Sequence, residues 1–241
     1  MSDANIGTLY GIGVGPGDPD LITVKGAAML GRCRHVFAPR APHESESLAY
    51  RIAAKHIRSD AQIHRITFPM TSDRSELQAR WRESAGLIAE VLQTGADACY
   101  LTLGDTLLYS TYVYLLRELT ALCPEAHVVT IPGISSFSAA AARVGFPVGE
   151  GKNPVVVVPA AEDLDDVTRG LAMGGTVVLM KVGSRLQSIL DLLEATGHID
   201  RAAFVARVGM PGEYVQTDVR SLKGRDDRTG HLSTILIDAS R

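Results

Sequence analysis

The sequence predicts an α/β protein of two domains: a parallel-sheet N-terminal domain over residues 1–150 and a smaller mixed α/β C-terminal domain over residues 151–241. Three observations predict it. The first 150 residues alternate short apolar runs with helical spacing, as a parallel sheet covered on both faces requires. The apolar runs end in glycine- and proline-rich loops, which belong at the carboxyl ends of such strands. After residue 200 come three strand-like segments with no long helix between them, so hairpin pairing is expected there.

The elements follow in order. Residues 8–15 form a buried strand that runs into GIGVGPGDPD (11–20), a turn with four glycines and two prolines. Glycine permits positive φ and close approach to the backbone, and proline fixes the loop. Helical spacing over 21–32 puts Leu21, Val24, Ala28 and Leu30 inward. A second strand at 35–38 ends at Pro39. An amphipathic helix over 45–58 has Ser45 or Ser47 as its cap. A third strand covers 62–68, and a long helix over 73–94 carries the single tryptophan, Trp81. The continuous apolar run 97–103 is a fourth strand, followed by a helix over 110–122, a fifth strand over 127–131 and a small-residue helix over 135–144. Residues 146–152 read as a linker. Beyond it lie strands at 154–159 and 176–182, helices at 163–173 and 185–196, and strands at 202–208, 214–222 and 232–239.

Composition narrows the function. Hydrophobic content of 46% with 21% charged residues suits a soluble globular chain, and a net charge of −3 argues against nucleic-acid binding. No basic-then-apolar leader and no membrane-length apolar run is present, so a cytoplasmic protein without membrane contact is expected. Cys33, Cys99 and Cys123 are odd in number and far apart, and the seven histidines are scattered. Neither pattern has metal-ligand or disulfide spacing, and no metal site is expected.

Three loops fall at the carboxyl edge of the first sheet: residues 13–18, 104–111 and 132–136. The first fails the dinucleotide fingerprint in both registers, because Pro16 and Asp18 stand where the third glycine belongs. Asp18 and Asp20 would also repel a pyrophosphate. A tight turn with no ligand is the alternative for that loop. Gly151-Lys152 is followed by Asn153, so no Walker loop exists. Asp105, after a buried strand and a glycine, serves either as a hydrogen-bond acceptor for a ligand or as a cap of its own turn. Ser135 and Ser136 stand at a helix start and offer hydroxyls, with a serine cap as the alternative. No GxSxG elbow supplies a nucleophile. Lys181 at a strand end reads as a solvated lysine, and Met180 as core.

Taken together, GVGPGDPDLITVKG (13–26), TLGDTLLYST (102–111), IPGISSFSAAAA (131–142), LMKV (179–182), ARVGMPGE (206–213) and HLSTILI (231–237) resemble the tetrapyrrole (corrin/porphyrin) methyltransferase family, the class III S-adenosyl-L-methionine-dependent enzymes. The match covers nearly the whole chain in order. FPM at 68–70 before the Trp81 helix, TLGD in place of GGDP, and YST at 109–111 are similar to the branch that methylates carbon-20 of precorrin-2 or cobalt-factor II in cobalamin (corrin ring) biosynthesis.

The resemblance implies a homodimer of two-domain chains with the active site in the trough between the domains. It implies that S-adenosyl-L-methionine binds there and leaves as S-adenosyl-L-homocysteine. By position, the cofactor shell is Leu103, Gly104, Asp105, Leu108, Ser135, Ser136, Met180, Val208, Gly209 and Thr234, with Ser233 beside it. Pro16, Gly17 and Asp18 face the tetrapyrrole. The family often has an acid near the ARVG stretch. Ala206-Arg207 stand there instead, which turns Arg207 toward a substrate carboxylate. Arg40, Arg51 and Arg74 are further carboxylate partners, because guanidinium binds carboxylate bidentately.

The implied reaction is methyl transfer from a sulfonium to an enamine-like carbon. It needs alignment more than a nucleophile, and alignment supplies up to about 7–11 kcal/mol in intramolecular models. Tyr109 and the histidines are the candidate bases for the final proton. The alternatives are methylation at another tetrapyrrole position, a diphthine- or ribosomal-RNA-type substrate, a non-catalytic module that kept the pocket, and a nucleotide-dependent oxidoreductase, which the failed fingerprint disfavours.

Overall fold

The computed structural model describes residues 6–42, 44–69, 71, 73–159 and 163–240, with the side chains of 227 and 228 outside the description. Met70 of the FPM stretch therefore lies outside the described residues. The chain forms two compact units, Met1–Ser135 and Ser136–Arg241. Each is described by itself.

The first unit holds β1 (Thr8–Gly13), β2 (His35–Arg40), β3 (Gln62–Thr67), β4 (Ala98–Thr102) and β5 (His127–Ile131), with α1 (Val24–Leu30), α2 (Leu48–Ala53), α3 (Arg74–Gln93) and α4 (Tyr112–Leu122). Its sheet is wholly parallel, in the order β3-β2-β4-β1-β5. Helices cover both faces, as the unbroken apolar strands require. On one face α3 and α4 bury Ile88, Leu92, Leu115 and Leu119 against Leu9, Phe37, Ala98 and Tyr100. On the other, the Cys99 thiol donates to the Met29 carbonyl of α1 at 3.6 Å. All three cysteines are buried free thiols.

Local chemistry sets the helix starts. Thr23 Oγ1 accepts the Gly26 N–H at 3.1 Å, so α1 begins at Val24. The helix expected over 21–32 is therefore shorter. Pro19–Leu21 form a separate 3₁₀ turn, because Asp18 Oδ1 takes the Asp20 N–H at 2.8 Å. Of the two serines expected to cap α2, Ser47 does so, accepting the Tyr50 N–H at 3.3 Å. Asp73 caps α3, and Trp81 in that helix stacks on Tyr114 of α4 at 4.3 Å between centroids.

The second unit holds α5 (Ser136–Val144), β6 (Val155–Pro159), α6 (Leu164–Ala172), β7 (Thr176–Met180), α7 (Leu186–Ala195), β8 (Ala202–Ala206), β9 (Tyr214–Gln216) and β10 (Ser233–Asp238). The sheet order is β6-β7-β10-β8-β9. Only β6 and β7 pair in parallel; β10 runs antiparallel to both β7 and β8, and β9 antiparallel to β8. The hairpin expectation holds for β8 and β9. The strand expected over 214–222 stops at Gln216, because Asp218 caps a 3₁₀ turn at Val219–Leu222. Helix α5, which the sequence groups with residues 1–150, packs on β8 and β10.

Candidate active site

In a parallel sheet every strand delivers its carboxyl end to the same edge. In the first unit that edge brings together the loops after β1, β4 and β5. Val14 N–H donates to Thr102 O at 2.9 Å, and Gly15 and Gly104 exchange N–H···O bonds of 3.3 and 2.8 Å. The β1 and β4 loops thus continue the ladder past the strand ends.

The third loop closes on both. A Cβ on Gly133 would lie 2.1 Å from Gly104 O and 2.8 Å from Gly13 Cα, so three backbones meet where no side chain fits. Asp105 ties the set together. Its Oδ1 accepts the Leu107 N–H at 2.9 Å and its Oδ2 accepts the Gly133 N–H at 3.0 Å. Asp105 thus caps its own turn, one of its two readings, and also reaches 28 residues along the chain to a loop that no spacing links to it. Thr106, buried beneath, donates to Ile131 O at 3.5 Å.

The structure places each expected residue of this unit. Leu103, Asp105 and Leu108 are half-buried at the edge, Gly104 is buried with φ 70°, and Ser135 is half-buried at the end of the third loop. Tyr109 is 43% exposed and adopts φ 51°, a left-handed conformation rare for an aromatic residue. Pro16 and Gly17 are buried, and Asp18 is half-buried with its carboxylate on the Asp20 N–H. Arg40, at the end of β2 on the same edge, donates from Nη1 to Glu44 O at 2.6 Å, while its Nε is buried with no hydrogen-bond partner among the described residues. Arg51 and Arg74 are exposed on α2 and α3.

Below the edge, Gly11 leaves room for the Tyr112 ring, and Tyr112 Oη lies 3.0 Å from Thr130 Oγ1 on β5. Burial pushes the Tyr100 and Tyr112 phenols above their usual range.

The second unit gathers the other expected residues at one edge of a mixed sheet. Thr234 at the start of β10 faces Met180 at the end of β7 and Val205 near the end of β8. Val208 and Gly209 follow β8 directly. Met180, Val208 and Thr234 are buried, and Ser136 opens α5. Lys181, exposed beyond β7, has φ 57°. Arg207 is exposed with φ 52°, its N–H on Leu232 O at 2.9 Å.

Sequence reasoning missed two residues at this edge. Glu213 folds back so that Oε2 accepts the Gly209 N–H at 2.9 Å and Oε1 accepts Arg143 Nε at 2.5 Å. The Gly209 N–H, and then the Arg143 guanidinium, hold the Glu213 carboxyl below the usual carboxylate range. Glu213 closes the ARVGMPGE motif, but its partner lies 70 residues away and leaves no spacing signal.

Among the described residues no three His, Cys, Asp or Glu side chains converge as a metal site would require, and no helix is long and apolar enough to cross a membrane.

Known proteins resemble this chain over most of its length. The cobalt-precorrin-2 C(20)-methyltransferase of Salmonella typhimurium is 32% identical over 96% of both chains. The precorrin-2 C(20)-methyltransferase of Sinorhizobium is 29% identical over 98% of this chain and 97% of its own. Among solved structures, uroporphyrin-III C-methyl transferase from Thermus thermophilus complexed with S-adenyl homocysteine shares the fold, with a TM-score of 0.65 at 20% identity over 96% of this chain and 97% of that one. The family model of the tetrapyrrole (corrin/porphyrin) methylases matches residues 8–223, and the chain belongs to that family.

Proposed function

We propose that this protein transfers a methyl group from S-adenosyl-L-methionine to carbon-20 of precorrin-2 or its cobalt complex during corrin-ring biosynthesis. The observation that carries the reading is the near-full-length kinship to two carbon-20 methyltransferases, in a chain whose family motifs fall on the two sheet edges.

In this reading Leu103, Gly104, Asp105, Leu108 and Ser135 of the first unit, with Ser136, Met180, Val208, Gly209 and Thr234 of the second, hold the methyl donor. The donor supplies an activated methyl on a sulfonium. Asp105 sets the shape of the loop edge through its two N–H bonds, and its charge favours a cationic ligand. Pro16, Gly17 and Asp18 shape the wall toward the tetrapyrrole. Arg207 and Arg40 meet its carboxylates. The receiving carbon is already nucleophilic, so orientation and exclusion of water carry the rate. Tyr109, exposed in its strained turn, is the proposed relay for the proton released after transfer: its oxygen takes that proton as its own O–H proton passes to solvent. The active form is a cytoplasmic homodimer.

The test is incubation with isotopically labelled donor and either precorrin-2 or its cobalt complex, followed by NMR location of the new methyl. A methyl at carbon-20 supports the reading. A methyl at another position moves the protein to another branch, and absence of S-adenosylhomocysteine binding at micromolar levels in calorimetry overturns it.

A further inference from the structure

We propose that Glu213 is a positioning residue for methyl-donor binding: its carboxylate bridges Arg143 of α5 and the Gly209 N–H, and so holds the turn after β8 in its binding shape. The inference rests on the reading that Val208 and Gly209 contact the donor.

The turn is difficult to hold by backbone alone. Arg207, Gly209 and Gly212 all have positive φ, at 52°, 71° and 80°. Three backbone bonds pin it: Arg207 N–H to Leu232 O at 2.9 Å, Met210 N–H to Arg207 O at 2.9 Å, and Glu213 N–H to Met210 O at 3.0 Å. The Gly209 N–H sits between these pins, and Glu213 Oε2 takes it at 2.9 Å. The Glu213 side chain is 23% exposed and its Arg143 partner 56%, so the carboxylate is partly sheltered while the guanidinium meets water.

Its second oxygen reaches Nε of Arg143, near the end of the helix that Ser136 opens. One carboxylate thereby couples two parts of the proposed donor shell, the Val208–Gly209 turn and α5. The Gly209 N–H is also committed inside the protein, so a ligand does not draw on it.

The experiment compares full-length wild type with Glu213→Ala, Glu213→Gln, Arg143→Ala and the double variant Arg143→Ala/Glu213→Ala. Calorimetry measures S-adenosylhomocysteine affinity, steady-state kinetics separate KM for each substrate from kcat, and melting is recorded alongside. Glu213→Ala is expected to weaken S-adenosylhomocysteine binding about 10-fold, the scale of one charge-assisted hydrogen bond. It should raise donor KM more than it lowers kcat, and more than it raises tetrapyrrole KM, since Arg207 shares the turn. Glu213→Gln keeps an oxygen for the Gly209 N–H and should recover most of the loss. The double variant should be no weaker than Glu213→Ala, because both changes break one network.

Wild-type affinity in folded Glu213→Ala overturns the proposal, as does a melting loss that raises both KM values by the same factor. If Glu213→Ala does not fold, undiminished affinity in Arg143→Ala overturns it instead. Failure of wild type itself to bind S-adenosylhomocysteine sinks the donor reading, and this inference with it.

Discussion

The two sheet edges solve the same problem in different ways. In the first unit all five strands run parallel, so their carboxyl ends arrive together and the loops lock backbone to backbone. In the second unit β10 is antiparallel to its neighbours, and its start lies beside the ends of β7 and β8. The turn that follows β8 is then held by a side chain, Glu213, from outside the sheet. An edge built of touching backbones tolerates little change, whereas an edge held by one carboxylate can be tuned.

The largest effect is expected from Gly133→Ala. Its Cβ would enter the backbone of Gly104 at 2.1 Å, and no flexible side chain can yield. We expect a loss of at least about 3 kcal/mol in denaturant unfolding, with S-adenosylhomocysteine binding abolished. The matching change in the second unit, Gly209→Ala, strains a φ of 71° and should cost only about 1–2 kcal/mol. Equal losses at the two positions would erase the contrast.

Asp105→Ala comes next. It leaves the Gly133 and Leu107 N–H groups without their acceptor, for about 2 kcal/mol, and should weaken S-adenosylhomocysteine binding in calorimetry. Asp105→Asn keeps one acceptor and should lose less. Unchanged affinity in the alanine variant would reduce Asp105 to a cap.

A smaller effect is expected from Tyr112→Phe. It removes the bond to Thr130 beneath the first edge and should lower stability by about 1 kcal/mol with little change in affinity.

Acid separates the units most gently. His35 and His64, 3.0 Å apart across β2 and β3, are both held below the usual imidazole range, first by burial and then by Arg34 beside His35 and by His35 beside His64. The unfolded chain therefore binds more protons than the folded one as pH falls below about 6.5. Their contribution is complete above that value and declines beneath it. Glu213, also depressed, loses its contribution only as pH falls below the usual carboxylate value, about 4.3. Hydrogen exchange should show β2–β3 amides loosening at a higher pH than the 207–213 turn; the reverse order would contradict both assignments.

Much of the first edge was legible in the sequence because its signals are local. Glycine and proline after an apolar strand mark a carboxyl-end loop, and an acid after glycine marks a turn, so residues 13–18, 104–111 and 132–136 could be placed on one edge. Caps were partly readable: the sequence offers Ser45 or Ser47 at α2 and Ser47 bonds an N–H three residues on, while Asp73 reads only as the first residue of its helix and caps it through an N–H two residues on. The end of β9 was harder to read. Residues 214–222 alternate like a strand, and only the Asp218 cap turns them away.

The second edge was less legible, because its logic is long-range. ARVGMPGE marks a turn, but nothing in its spacing says that Glu213 doubles back on Gly209 or that Arg143 waits 70 residues upstream. The sequence by itself determined the alternation of elements, the loops that close the first sheet and the family. Those features follow from periodicity and backbone preference, which act over a few residues. Only the tertiary structure decided which N–H groups are committed within the protein, that Asp105 bonds Gly133 as well as its own turn, and that α5 packs on β8 and β10. Those outcomes depend on desolvated groups finding partners in space, and distance along the chain does not encode them.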